Sequence, residues 1–359
     1  MSSAAEAAHA AQERTAHGAK ASVVPEVLRR YGDATRVALT RYLSPREPHR
    51  WLYAPAADYP QRGGRMLRPS LCLATACAFG ASVDEAVGTA VGLELLHNAF
   101  LVHDDVEDES DSRRGRPTLH ELYGTAVAVN TGDALILLGL RALIDSRATL
   151  GPRLTLRLLE EAERMGRESV EGQAIELGWR RDVALHLTDA DYLDMVLKKT
   201  CWYTTIFPSR AGALIGTRSE DDLDRFLRFG FFLGAAFQVQ DDVLNLAGDA
   251  VSYGKELSGD ILEGKRTLIL LHLLREASDP ERDRLTAFLH LTRAERSAAD
   301  VAWILERMEA RGSLAYAEQV AHALAGAARE EGERLYAGVP DSLDRRFILE
   351  LPVWVLERC

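Results

Sequence analysis

The sequence predicts an all-α fold, a single large helical bundle. Apolar residues recur at three- and four-residue spacing, as in the stretches 71–77 and 91–100, which is the spacing of helices with a buried face. The segments Ser82–Glu85 and Thr292–Glu295 match the capping box that begins a helix. Alternating apolar and polar runs bounded by turns, which predict strands, are nearly absent.

The prediction of one domain rests on the absence of a linker sequence and of an internal repeat. Residues 1–20 carry almost no large apolar side chains, and we expect them to form a disordered tail. A length of 359 residues suggests about two domains. Because no Pro/Ser-rich linker and no fixed repeat interrupts 21–359, we predict one all-helical domain there.

The individual helices follow from the same periodicity, taken in chain order. The first begins where large apolar residues appear, at Val23, and later ones begin at the polar caps Ser82, Ser219 and Thr292. The predicted helices are 22–43, 66–80, 83–107, 118–145, 153–178, 190–217, 220–247, 264–277, 280–290, 293–310, 313–330 and 341–356. The irregular stretches that contain glycine are 60–65, 109–117 and 248–264.

Composition excludes several classes of function. The 43 basic and 54 acidic residues give a net charge of −11, which argues against general nucleic-acid binding. The four cysteines contain no C-x-x-C pair, so we expect neither structural zinc nor a disulfide framework, and we expect a reducing, cytoplasmic location. No uninterrupted apolar run reaches the roughly 18–20 residues of a membrane span, so stable membrane insertion is not expected.

The first unusual charge pattern lies in residues 103–117. Asp104 and Asp108 are four residues apart and share a helix face, with Asp105 beside them. Like charges at this spacing, near the C-terminal end of a helix, destabilise it. Clustered carboxylates suit Mg²⁺, which also takes phosphate oxygens as ligands, and the following Arg113–Arg114 pair can bind phosphate. Taken alone, the pattern fits a solvated acidic helix end equally well.

A second acidic cluster repeats this spacing. Asp241, Asp242 and Asn245 also follow an apolar helix and precede a loop that contains glycine. Two such helices, facing each other across a central cavity, could give carboxylates to one shared metal cluster.

Together with nearby basic residues, these clusters resemble the motifs of the trans-isoprenyl diphosphate synthase (polyprenyl synthetase) family over residues 60–358. The motifs are GGRMLRP at 63–69, HDDVEDESDSRRGRPT at 103–118, GQ at 172–173, KT at 199–200, FQVQDD at 237–242 and GK-x4-D-x4-K at 254–265. The GQAIEL stretch and the DDxxN form of the second cluster are most similar to geranylgeranyl diphosphate synthases.

This resemblance implies a reaction, its cofactor and the residues involved. Isopentenyl diphosphate would condense with the cation formed when an allylic diphosphate ionises, assisted by about three Mg²⁺ ions, in an enzyme that is a homodimer. The implied metal ligands are Asp104, Asp105, Asp108, Asp241, Asp242 and Asn245. The implied contacts of the allylic diphosphate are Arg113, Lys199, Lys255 and Lys265, with Thr200 and Gln238 beside the developing cation. The implied isopentenyl diphosphate pocket contains Gly64, Arg65, Arg68, His97 and Arg114.

Two positions depart from the family pattern. Arg65 stands where the family usually has Lys, and it still supplies a phosphate donor. Asn245 replaces an acid with a neutral oxygen, which weakens its case as a metal ligand. We therefore expect Asp241 to matter more than Asn245.

Product length is predicted from the residues four and five places before the first motif. In the family, bulky side chains at these positions stop short products, and here they are Phe100 and Ala99. The small Ala99 predicts a tunnel deep enough for a geranylgeranyl chain, and Ala99→Phe would then shorten the product. The alternative is that both residues only pack in the core.

Other functions remain open from the sequence alone. A farnesyl or longer-chain synthase would carry the same motifs. A class I terpene cyclase of the same architecture would also ionise a diphosphate, but it has no need of a second diphosphate pocket. A catalytically silent partner subunit would be expected to lose acids of the first motif, which are present here.

Overall fold

The computed structural model describes residues 22–219, 222–248 and 258–358. The predicted tail at 1–20 and the predicted substrate contact Lys255 lie outside the described residues. Within the described ranges the chain forms helices, connecting loops and one two-stranded hairpin. The all-α prediction is confirmed.

The α-helices are numbered here in chain order. They are α1 (Val24–Leu39), α2 (Ala54–Gln61), α3 (Leu67–Ala78), α4 (Val83–Glu107), α5 (Leu119–Tyr123), α6 (Thr125–Asp145), α7 (Arg147–Leu150), α8 (Pro152–Arg181), α9 (Asp189–Val196), α10 (Phe207–Thr217), α11 (Phe226–Ala247), α12 (Gly259–Glu263), α13 (Leu268–Glu276), α14 (Asp279–Leu289), α15 (Ala298–Ala310), α16 (Ser313–Leu335) and α17 (Leu343–Glu357). His49–Tyr53 and Leu197–Ile206 are π-helical, and Leu223–Arg225 and Arg293–Glu295 are 3₁₀ turns.

Helix boundaries differ from the sequence prediction where glycine or proline intervenes. The predicted helix 118–145 is divided into α5 and α6, because Gly124 has a φ of +82° between them. The sequence does not predict α2, which contains Pro55 and Pro60; Pro55 stands in the first turn, where a missing N–H costs nothing. The capping box at Thr292 is formed, but it caps only a 3₁₀ turn ahead of α15.

A short hairpin follows α4 directly. Its strands are β1 (Ser112–Arg113) and β2 (Arg116–Pro117), paired antiparallel. The two turn residues, Arg114 and Gly115, have φ values of +53° and +70°, and a two-residue type I′ turn requires positive φ at both. Left-handed backbone costs a non-glycine residue about 1–2 kcal/mol, so the contacts of Arg114 must hold it there.

Two apolar clusters form the core. The larger one joins α1, α3, α8, α10, α11, α13, α16 and α17, and the smaller one lies between α2, α4 and α6. α4 and α6 approach closely because both carry glycine at their contact. A Cβ atom on Gly92 would lie 3.1 Å from the Gly139 carbonyl oxygen, and one on Gly139 would lie 3.0 Å from that of Gly92.

The stretch Thr125–Leu150, which comprises α6 and α7, is long and apolar enough to cross a membrane by length and composition alone. The sequence prediction finds no such run because it counts Arg141 as a break. In the described part of the chain this stretch is the only one of its kind, and 44% of its most apolar window is buried in the protein. Core helices of soluble proteins have the same length and composition, so this stretch alone does not indicate a membrane span.

The π-helical segment Leu197–Ile206 interrupts a continuous helical run from α9 to α10. Glycines of the neighbouring helices press closely against it. A Cβ atom on Gly172 of α8 would lie 2.2 Å from the backbone nitrogen of Lys199, and one on Gly234 of α11 would lie 2.6 Å from Thr205 Oγ1. π-Helical turns occur often at functional sites, and this one carries Lys199 and Thr200.

Gly172→Ala is expected to destabilise the protein by about 1–3 kcal/mol or more, because the new methyl group overlaps backbone atoms of the π-helical segment. Gly166→Ala in the same helix is the matched control, since nothing lies within 4 Å of its Cβ position. The control should stabilise the helix by up to about 1 kcal/mol. Equal free energies of unfolding for both variants, measured with a denaturant, would contradict this account.

Candidate active site

One cavity of about 1040 Å³ is lined by residues of both acidic clusters and by the residues expected to bind isopentenyl diphosphate. α4, α8, α11 and the π-helical segment supply most of its wall, and the ends of α13 and α17 add to it. Its apolar lining includes Phe100, Leu101, Ile136, Val170 and Tyr203. The cavity therefore combines charged groups that can hold phosphates with apolar walls that can hold a hydrocarbon chain.

Asp104 is the member of the first cluster that lines the cavity. Its Oδ1 atom lies 3.3 Å from Lys199 Nζ and accepts a 3.5 Å hydrogen bond from Gln173 Nε2. Its Oδ2 atom lies 3.8 Å from Arg113 Nη2. The partners of this carboxylate, one amide and two cations, come from three separate elements, α8, the π-helical segment and the hairpin, which meet at the end of α4.

Asp105 is buried behind this wall rather than on it. It accepts hydrogen bonds from Arg113 Nε at 3.0 Å and from the Tyr59 hydroxyl at 2.5 Å. Burial opposes the charge of Arg113, but the paired Asp105 carboxylate outweighs burial and raises the pKa of Arg113. In this arrangement Asp105 fixes the position of Arg113, which does line the cavity. The predicted role of Asp105 as a metal ligand stays a prediction.

Asp108 is also buried and does not line the cavity. It accepts a hydrogen bond from Arg180 and pairs with Lys265 Nζ at 2.7 Å. Burial would raise the pKa of Asp108, yet Lys265 and the other nearby cations lower it overall. The same Lys265 amine lies 2.6 Å from a Glu263 carboxylate oxygen. Asp108 thus acts as the counterion of two cations beside the cavity.

Lys199 lines the cavity between acidic groups of two helices. Its amine donates a 2.6 Å hydrogen bond to Glu176 Oε1 on α8, in addition to its contact with Asp104. Burial opposes its charge, but Asp104 and Glu176 together raise the pKa of Lys199 above its usual value. The amine is therefore held charged and aimed at the cavity.

In the second cluster, a chain of hydrogen bonds orients Asp242. Thr200 Oγ1 donates to Gln238 Oε1 at 2.9 Å, and Gln238 Nε2 donates to Asp242 Oδ1 at 2.8 Å. The Tyr192 hydroxyl donates to the other oxygen at 2.7 Å. Burial, with a contribution from the neighbouring Asp241, raises the pKa of Asp242 to about 7. Thr200, Gln238 and Asp242 all line the cavity; their predicted roles beside the cation and at the metal stay predictions.

Asp241 and Asn245 have different surroundings, although both belong to the second motif. Asp241 lines the cavity, and its Oδ1 atom lies 3.4 Å from Arg358 Nη1. Asn245 is buried and is not part of the cavity wall. Its side-chain oxygen accepts a 3.2 Å hydrogen bond from the Asp260 backbone N–H, and its carbonyl accepts one from Ser258. Asn245 therefore binds the N-terminal end of α12 to α11.

The residues that the resemblance assigns to an isopentenyl diphosphate pocket all line the same cavity; they are Gly64, Arg65, Arg68, His97 and Arg114. Arg68 Nη1 lies 3.4 Å from His97 Nε2, and Arg68 Nη2 donates a 2.9 Å hydrogen bond to Thr204 Oγ1. Arg114 Nη1 donates to the Tyr59 carbonyl at 3.0 Å. A Cβ atom at position 64 would lie 2.9 Å from Arg114 Nη2, so glycine leaves room for this guanidinium.

Phe100 and Ala99 lie on different faces of α4, and the predicted role of Ala99 in product length stays a prediction. Phe100 lines the cavity with its ring 5.6 Å from that of Tyr203. Ala99 is fully buried in the smaller apolar cluster with Leu95 and Val102, which share its face at positions i−4 and i+3. Successive helical residues point about 100° apart, so Ala99 packs in the core while Phe100 faces the cavity.

Sequence reasoning misses several residues that shape this cavity. They are Tyr59, Glu176, Arg180, Tyr192, Glu94 and Arg358. Glu176 lies in the quoted GQAIEL stretch, and its acid is a signal that could have been used. Arg358 gives no local signal: it follows α17, donates a 2.6 Å hydrogen bond to the Phe237 carbonyl and lies over the Phe237 ring.

Comparison with known proteins agrees with this geometry. A family model described as polyprenyl synthetase matches residues 49–308. The short chain isoprenyl diphosphate synthase of Methanothermobacter thermautotrophicus is 32% identical over 339 residues, covering 93% of this chain and 98% of that protein.

Solved structures give the same result. The geranylgeranyl pyrophosphate synthetase of Pyrococcus horikoshii has a TM-score of 0.80 and 31% identity, covering 93% of this chain and 98% of that one. The geranylgeranyl pyrophosphate synthase of Corynebacterium glutamicum, complexed with isoprenyl diphosphate and magnesium, has a TM-score of 0.78 and 26% identity, covering 94% and 98%. The chain belongs to the polyprenyl synthetase family and is a trans-prenyltransferase.

Proposed function

We propose that this enzyme condenses isopentenyl diphosphate with an allylic diphosphate, head to tail, and forms mainly geranylgeranyl diphosphate. One observation carries the proposal: a single cavity is lined by both acidic clusters, by a separate group of cations, and by apolar side chains. A terpene cyclase needs only one diphosphate site, whereas the elongation of a prenyl chain needs two. The relatives named as geranylgeranyl synthases support the choice of product.

The allylic diphosphate would be bound by Arg113 and Lys199. Asp105 holds Arg113 in place and Glu176 holds Lys199, so neither cation has to reorganise when the substrate binds. Arg65, Arg68 and Arg114 would bind the diphosphate of the second substrate, because they line the same cavity and add cations to it. Arg68 contacts His97 and Thr204, and Arg114 the Tyr59 carbonyl. Two anionic substrates would thus be brought together with their hydrocarbon parts in one apolar space.

The oxygen atoms beside the reacting carbons would come from Thr200 and Gln238. Their side chains are linked to each other and to Asp242, which fixes their orientation. An allylic cation that forms when the diphosphate leaves would be stabilised by such preorganised dipoles. The isopentenyl double bond would attack this cation, and the lost proton would pass to the departing diphosphate.

The cavity has the donor set for Mg²⁺. Asp104 and Asp241 are carboxylates on its wall, and Mg²⁺ typically uses one or two carboxylates together with substrate phosphates. When bound, the ions would act as Lewis acids on the leaving diphosphate. In the described residues, no group of three or more His, Cys, Asp or Glu forms a metal site by itself, which fits ions that bind together with the substrate.

We also infer a homodimer. α6 exposes large apolar side chains along one face, with Leu137 at 67%, Ile144 at 45% and Val129 at 40% exposure. Such a row of exposed apolar residues is typical of an interface. The cytoplasmic location expected from composition stays a prediction.

The proposed reaction predicts that the full-length protein incorporates labelled isopentenyl diphosphate into a geranylgeranyl product when given an allylic diphosphate and Mg²⁺. Chelation of the metal should abolish both the incorporation of label and the release of pyrophosphate, because no metal ion then neutralises the negative charge of the leaving diphosphate. Mass spectrometry of the extracted products gives the chain length. A volatile hydrocarbon formed without incorporation of isopentenyl diphosphate would instead indicate a cyclase. The absence of any pyrophosphate release would indicate a catalytically silent subunit.

Phe100→Ala should shift the products towards longer chains, since it removes a ring from the cavity wall. Ala99→Phe provides the contrast: it should overpack the contact with α6 and destabilise the protein by about 1–3 kcal/mol. Product analysis of the folded fraction should then show an unchanged profile. A shorter product from Ala99→Phe would restore the original sequence argument and contradict the face described here.

Asp241→Ala should lower kcat by at least about a hundredfold, because it removes a carboxylate proposed to hold Mg²⁺ on the cavity wall. Asn245→Ala should cost less than about tenfold in kcat and should appear mainly as a lower melting temperature, since it frees the Asp260 backbone N–H. Steady-state kinetics and thermal unfolding of both variants measure this. Equal losses of kcat would refute the ranking.

A further inference from the structure

Arg62 directly follows α2 and lines the cavity, although none of the roles above uses it. Its side chain is 1% exposed, and its Nε atom donates a 2.5 Å hydrogen bond to Asp58 Oδ1, one turn earlier in α2. Nη1 donates to the carbonyls of Arg113 at 2.9 Å and Arg116 at 3.3 Å, and Nη2 donates to that of Pro117 at 2.7 Å. Every nitrogen of this guanidinium is therefore bonded to protein atoms, and its charge is paired with Asp58.

The hairpin that accepts these bonds is too short to fix its own conformation. β1 and β2 have two residues each, and an isolated two-stranded hairpin is marginally stable at best. Pro117 has no N–H to donate to the opposite strand. In the turn, Arg114 has a φ of +53°, a left-handed conformation that is unfavourable for arginine. Contacts from outside the hairpin must therefore hold it in place.

α2 supplies those contacts. Arg62 bonds to both strands, through one carbonyl of β1 and two of β2. Asp58 Oδ2 accepts a 2.9 Å hydrogen bond from Arg116 Nη2. The Tyr59 carbonyl accepts the hydrogen bond from Arg114, and the Tyr59 ring centroid lies 4.5 Å from Arg62 Cζ. Positions 58 and 59 stand four and three residues before 62, which places all three on one helix face. One turn at the end of α2 therefore holds the whole hairpin.

The hairpin carries the cations proposed for the two substrates at consecutive positions. Arg113 would bind the allylic diphosphate and Arg114 the isopentenyl diphosphate, so the backbone between them determines how far apart the two diphosphates bind. We propose that Arg62 is a positioning residue, which fixes this spacing for both substrates at once. The inference rests on the proposed function and adds to it a residue that lies outside the sequence motifs.

Two other roles for Arg62 give different expectations. If Arg62 only stabilised the fold, its removal would lower the melting temperature and leave both KM values of the folded protein unchanged. If its charge bound a phosphate directly, lysine would replace it. If it positions the hairpin, lysine fails, because a single amine lacks the planar fork of donors that reaches Asp58 and both strands together.

The test compares wild type, Arg62→Gln and Arg62→Lys as full-length proteins by steady-state kinetics with each substrate. KM for the allylic diphosphate and KM for isopentenyl diphosphate should rise together in both variants, by at least about tenfold, because a displacement of about 1 Å can cost about a hundredfold in rate. The control is Arg116→Gln, which removes a partner of the same Asp58 from the same hairpin but is 54% exposed and does not line the cavity. It should change either KM by less than about twofold, since an exposed ion pair contributes little.

Hydrogen exchange examines the hairpin without any turnover. The backbone amides of 112–116 should exchange faster in Arg62→Gln than in wild type, while those of α16, which belongs to the larger apolar cluster, should be unchanged. Faster exchange in the hairpin alone supports the positioning role. Equal acceleration in both regions means that Arg62 stabilises the whole fold, and it overturns that role.

The kinetic outcomes are equally decisive. Wild-type KM values in Arg62→Gln, a rise of KM for only one substrate, or full recovery in Arg62→Lys would each overturn the role of Arg62. Should Arg62→Gln fail to fold, Arg62→Lys decides by the same two KM values. If the wild type incorporates no isopentenyl diphosphate, the proposed function itself fails. If the wild type is active and the Arg62 variants match it, only the positioning role fails.

Discussion

Burial of the acidic end of α4 is the constraint on which this active site depends. A helix that leaves an apolar core with Asp104, Asp105 and Asp108 in its last turn brings like charges together, at the helix end where the macrodipole is also negative. The fold compensates each carboxylate separately. Arg113 pairs with Asp105, Arg180 and Lys265 pair with Asp108, and Lys199 approaches Asp104. Because these cations come from four different segments, their pairing also joins the walls of the cavity.

The π-helical segment is the second device that brings distant parts of the sequence together. It carries Lys199 towards α4 and Thr200 towards α11, so one widened helical stretch serves both acidic clusters. Glycine at positions 172 and 234 lets the neighbouring helices lie against its backbone. This close packing positions the polar groups of Lys199 and Thr200. The geometry of the cavity therefore depends on Gly172 and Gly234, although neither has a functional side chain.

Much of the fold and of the site could be predicted from the sequence, for identifiable reasons. Long helices such as α4 and α11 follow from apolar residues at helical spacing. The acidic motifs stand out because the same spacing occurs twice, each time after an apolar helix. The break at Gly124 and the existence of α2 depend on backbone conformations that periodicity does not encode. The packing of Ala99 against α6, away from Phe100, is likewise not evident from the sequence, because the tunnel argument compared the sizes of the two side chains and not their directions.

The partners of the motif residues were the least predictable part. Arg180 and Arg358 lie 72 and 117 positions away from the acids that they approach, and neither stands in a recognisable pattern. Such pairs arise from helix packing, which a single sequence does not reveal. The carboxylates that the sequence presents as equivalent, Asp104, Asp105 and Asp108, become distinct only once their neighbours are known.

The hairpin after α4 has a consequence for how this enzyme could change. Arg113 belongs to β1 and is fixed by Asp105, whereas Arg114 occupies the turn with a φ of +53°. Glycine or asparagine would suit that backbone better, yet either would remove a guanidinium from the cavity. If Arg114 binds substrate as proposed, stability and substrate affinity favour different residues at position 114, and selection for thermal stability alone would replace this arginine.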